Sequence, residues 1–88
     1  MKNKIIQRII NEDKSLMIEI KQEDRKKNVY LVETNEDLEH ERIIKIGITT
    51  LSKENLIHFV GVMDMVETLY NNNNDLLIQI LKNRKLIK

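Results

Sequence analysis

The sequence has no cysteine, proline, tryptophan or alanine, and only two glycines among 88 residues. Without cysteine there is no disulfide staple and no thiolate for metal binding or nucleophilic attack. Zinc would have to be held by His40, His58 and carboxylates, a poor ligand supply. Glycines at positions 47 and 61 are too far apart to build a phosphate-cradling loop. The acidic loop with Glu36, Asp37, Glu39 and Glu41 lacks the alternating spacing of a calcium loop. Tyr30, Phe59 and Tyr70 are the only aromatics, a thin supply of stacking platforms for single-stranded nucleic acid.

Long apolar runs are also missing. None approaches the roughly 18 residues of a membrane span. The start, MKNKIIQRIINEDK, is basic and then apolar, but its apolar stretch is too short for a secretion signal and no small-residue cleavage site follows. These absences lead to the expectation of a cytoplasmic chain with no membrane contact, cofactor or metal, and one that is not an enzyme. Residues 1–88 are read as a single small α+β domain.

Ile, Lys and Asn are abundant, the bias of an AT-rich genome such as that of a low-GC bacterium or one of its phages or plasmids. Net charge is +1, unevenly spread: all 14 acidic residues lie between positions 11 and 75. Lys2, Lys4 and Arg8 stand before that stretch, and Lys82, Arg84, Lys85 and Lys88 after it. Two basic ends around an acidic body could track a phosphate backbone.

Hydrophobic periodicity divides the chain. Ile5, Ile6, Ile9 and Ile10 fall at helical spacing and predict a short N-terminal helix over 3–10. SLMIEIK, NVYLVET and RIIKIGITT alternate as strands, separated by the charged turn QEDRKK and the polar loop NEDLEHE, so a three-stranded antiparallel meander is expected. A tight turn at Asp24 and Arg25 sets Ile20 opposite Val29, and Ile18 opposite Leu31. Pairing Thr34 with Ile43 sets Leu31 opposite Ile46, Val29 opposite Ile48, and Gly47 opposite Tyr30. That arrangement gathers the aliphatic residues on one face.

Ser52 suits a helix N-cap, and a long central helix is expected from there to about Tyr70. Its inward stripe is Leu56, Phe59, Val60, Met63, Val66 and Tyr70. Ile57, Gly61 and Met65 form a second row at four-residue spacing, a candidate surface for a homodimer. NNNND breaks the helix, Asn74 serves as a cap, and DLLIQILKNRKLIK reads as a C-terminal helix.

The sheet face turned from the central helix would carry Met17, Tyr30, Val32, Ile43 and Lys45, a half-apolar surface rimmed by charge. Either it binds a protein, with Tyr30 as anchor, or a terminal helix covers it. The order of a meander between helices resembles that of some small phage inhibitors of bacterial defence, which would imply a modulator or inhibitor of a host protein. The expectation is a non-catalytic macromolecule-binding module, most of all a protein-interaction protein. The alternative is a nucleic-acid-binding accessory protein using Lys2, Lys4, Arg8, Lys82, Arg84 and Lys85.

Overall fold

The computed structural model describes residues 3–35, 37 and 39–88. Four antiparallel strands, β1 (Lys4–Ile10), β2 (Leu16–Glu23), β3 (Lys26–Thr34) and β4 (His40–Thr49), form one sheet in the order β1-β2-β3-β4. A 3₁₀ helix (Lys53–Val62), α1 (Met63–Leu69) and α2 (Asn74–Asn83) follow. The class is α+β, but the expected N-terminal helix is the first strand, and the meander has four strands rather than three.

The reason lies in a bulge and a turn. Ile5 pairs with Lys21 and Gln7 with Ile20, which leaves Ile6 as an extra residue in β1. The bulge resets the strand's phase, so isoleucines at helical spacing also satisfy an interrupted strand. Asn11 and Ser15 then close the hairpin. Asn11 N donates to Leu16 O at 3.0 Å, Leu16 N donates to Asn11 Oδ1 at 3.0 Å, and Ser15 N donates to Asp13 Oδ1 at 3.1 Å. Lys14 takes a left-handed φ of 61°. Short polar side chains bonding their own backbone stabilise such a turn. With its first element a strand, the chain loses the element order that carried the likeness to phage inhibitors.

Between β2 and β3 the register is the expected one: Ile20 opposite Val29, Ile18 opposite Leu31, Met17 opposite Val32. Between β3 and β4 it is not. Leu31 pairs with Ile44, Val29 with Gly47, and Thr34 with His40, leaving Ile46 and Glu41 as extra residues. Gly47 therefore does not lie opposite Tyr30. It lies against Ile87 of the C-terminal tail, whose Cδ1 is 3.0 Å from where a Gly47 Cβ would sit.

The expected central helix is also corrected. Its first ten residues are 3₁₀, and its buried side chains are Leu56, Phe59 and Val62, one every third residue. Val60, assigned inward on an α-helical period, is 53% exposed. Ser52 occupies the cap position without a side-chain cap bond. Three asparagines, 71–73, make the corner before α2: Asn71 is left-handed (φ 63°), and Asn73 rather than Asn74 caps α2 by accepting from Leu76 N at 3.1 Å.

Ile18, Ile20, Val29, Leu31, Leu56, Phe59, Val66, Leu77 and Leu81 share one core between the sheet and the helical layer. After α2 the chain turns at Lys85 (φ 61°), buries Leu86 and Ile87, and bonds Lys88 N to Ile48 O at 2.8 Å. The helices pack on one side of the sheet; on the other, Met17, Glu19 and Val32 are buried as well, outside that core.

Candidate functional site

Strand pairing arranges the face turned from the helices in transverse rows. The first row is Ile10–Met17–Val32–Ile43, each residue directly opposite the next across all four strands. The second is Arg8–Glu19–Tyr30–Lys45 and the third Ile5–Lys21–Asn28–Ile48. The apolar row is buried in its middle, Met17 at 2% and Val32 at 0%, and open at its ends, Ile10 at 40% and Ile43 at 49%. Met17, Tyr30, Val32, Ile43 and Lys45, picked out in the sequence, thus share one face.

Beside that row sits an ionic knot. Glu19 is fully buried although no helix covers it. Arg8 Nε donates to its Oε2 at 3.0 Å, Lys21 Nζ lies 3.5 Å from Oε1, and His40 Nε2 lies 3.9 Å from Oε2. Oε1 itself accepts no hydrogen bond.

Tyr30 is held rather than offered. Its hydroxyl donates to Glu23 Oε1, the same oxygen that accepts from Asn28 Nδ2 at 2.9 Å. These two donors hold the Glu23 carboxyl below its usual range, and the same contact with Glu23 pushes the Tyr30 phenol up. Lys21 Nζ stands 5.3 Å from the ring centroid, so a cation already occupies one face of the ring.

The remaining sequence candidates do not converge. Ile57 is 66% exposed, Gly61 has no atom within 4 Å of an added Cβ, and Met65 packs partly against the core. A 3₁₀ period puts Ile57 in line with Val60 instead of Gly61. Lys4 and Arg8 belong to β1, at one edge of the sheet, while the C-terminal tail bonds β4 at the other edge. Lys82 is exposed on α2, and Arg84 and Lys85 line a recess of about 400 Å³ with His58 and Gly61. Lys2 and Glu36 lie outside the described residues. Among the described residues no three His, Asp or Glu side chains gather to hold a metal, and no helix is long and apolar enough to cross a membrane.

Sequence reasoning missed Ile10 on this face and the meeting of Glu19 with Arg8 and His40. Assigned to a helix, Ile10 had no place on the sheet. The one acid inside LMIEI was the available signal for Glu19, since a charge amid a buried strand needs a partner. Comparison with protein-family models, curated proteins and solved structures yields no significant match.

Proposed function

We propose that this chain is a non-catalytic module that binds another protein through the sheet face turned from its helices. The observation that supports this reading best is the row Ile10–Met17–Val32–Ile43, apolar across all four strands and exposed at both ends. An apolar strip edged by charge is the usual composition of a protein-binding patch. The accessible anchors are Ile10 and Ile43, with Lys45 beside them, while Tyr30, Met17 and Val32 shape the floor.

Nucleic acid is a weaker occupant for this surface. Its one aromatic is already engaged by Glu23 and Lys21, and of the basic residues Lys4 and Arg8 lie on β1 at one edge of the sheet while Lys88 bonds β4 at the other.

The test is affinity capture from nuclease-treated lysate of the source cells. Replacing Ile10 and Ile43 together by Asp should abolish capture, whereas replacing Ile57 and Val60 by Asp should leave it intact. The reverse pattern, or no captured protein at all, would overturn the proposal.

A further inference from the structure

The sheet has two edges, and they differ. Along β4, the C-terminal tail supplies a backbone bond from Lys88 N to Ile48 O and buries Leu86 and Ile87. β1 has no described strand on its outer side, so a row of backbone N–H and C=O groups stands open there. Ile5 and Ile10 are exposed along it at 39% and 40%.

Charge on β1 itself has one sign. The strand carries Lys4 and Arg8 and no acid. Against it lies a recess of about 310 Å³ floored by Ile5 and Ile6 and ringed by Lys4, Lys27 and Lys53, with Gln22. Among the described residues none of these three lysines has a carboxylate within ion-pair distance. Lys27 Nζ donates to Leu51 O at 2.6 Å. Glu54 is the nearby acid: its own backbone and Ser52 first, then the charges of Lys53 and Lys27, hold its carboxyl below the usual range. Arg8 spends its Nε on Glu19 and keeps 48% of its side chain exposed.

Two copies of β1 laid edge to edge would set like charges against each other, which disfavours self-pairing. An acidic strand has the opposite sign.

Resting on the protein-binding reading above, we infer that β1 takes an extended acidic segment of the partner protein as a fifth strand, its carboxylates meeting the Lys4–Lys27–Lys53 recess on the helix side of the sheet. Backbone hydrogen bonds hold such a segment, and alternate side chains select it. Its apolar positions continue the isoleucine row onto the added strand.

The probe is a short labelled peptide alternating glutamate with valine and threonine. It is compared with its lysine-for-glutamate counterpart and with a backbone N-methylated copy, by fluorescence anisotropy and amide hydrogen exchange on the full chain. The acidic peptide should bind, weaken with salt, and slow exchange in β1. The lysine peptide and the N-methylated copy should each lose about tenfold or more in affinity. Lys4→Glu with Lys53→Glu, both on the surface, should reduce binding of the acidic peptide similarly.

No binding of the acidic peptide, equal binding of the three peptides, or protection in β4 instead of β1 would overturn the inference. So would a chain already dimeric in sedimentation with protected β1 amides, since a second copy would then hold the edge. If the peptides fail while the Ile10/Ile43 variant still loses its captured protein, the edge is wrong and the face reading stands.

Discussion

Arg8 Nε, on the edge strand, donates to Glu19 Oε2 on β2 at 3.0 Å, and Glu19 is wholly buried beneath it. The carboxylate is the costly member of the pair, because it is out of water and the arginine is half in it. Removing the arginine leaves Lys21 as the remaining cation near Glu19, with the His40 imidazole beside it. Arg8→Ala should therefore destabilise the chain by about 1–3 kcal/mol. Adding Glu19→Leu to Arg8→Ala should restore much of that loss, since no buried charge remains. Urea denaturation checks both, and a double variant weaker than Arg8→Ala alone would contradict the description.

The two glycines should respond oppositely to alanine. At Gly47 a Cβ would lie 3.0 Å from Ile87 Cδ1 and 3.3 Å from Ile87 Cβ, so the tail must shift. Gly47→Ala should cost about 1–3 kcal/mol, as overpacking does. Gly61 meets nothing, and Gly61→Ala should stabilise by up to about 1 kcal/mol by removing backbone freedom from the unfolded chain. Thermal unfolding of the two variants distinguishes the signs.

Both tyrosines should titrate late. Burial and a hydroxyl bond to Glu33 push Tyr70 from 10.0 up to about 12, and contact with Glu23 raises Tyr30. The folded state prefers the protonated phenol, so this stabilisation is complete below pH 10 and is lost as pH rises towards 12. Tyrosinate absorbance should stay low through pH 10 in the native chain and appear at the ordinary pKa in denaturant. Tyr70→Phe should remove the corresponding part of the alkaline loss of stability.

A 3₁₀ helix sets its own mutational pattern. Leu56→Ala, at 1% exposure, should cost about 2–5 kcal/mol, while Val60→Ala, at 53%, should fall within about 0.5 kcal/mol of the parent. Denaturant midpoints of the two variants check this. A large loss at Val60 would mean that this segment packs as an α-helix.

Where local chemistry and hydrophobic alternation agree, the fold was legible. β2 and β3 alternate cleanly, and Asp24 takes the left-handed φ of 57° that their tight turn needs, so their register could be derived. Bulges broke the reading elsewhere. An extra residue at Ile6 turns a strand into an apparent helix, and extra residues at Ile46 and Glu41 shift β4 against an otherwise regular pattern. Bulges obey distant packing, such as Ile87 pressing on Gly47, and leave little trace in local composition. Met17, Tyr30, Val32, Ile43 and Lys45 could be grouped because β2 and β3 were right and alternation survives in the middle of β4. Ile10 and Glu19 could not be related to one another until β1 became a strand.

The central claim is that the apolar row on the sheet face turned from the helices is open at both ends, and relaxation of isoleucine methyl groups by a soluble paramagnetic agent tests it most directly. Ile10 and Ile43, at 40% and 49% exposure, should relax strongly, while Ile18 and Ile20, at 0%, stay shielded. Shielding of Ile10 and Ile43 in the isolated monomer would mean that the chain covers this face itself, and the binding surface described above would not exist.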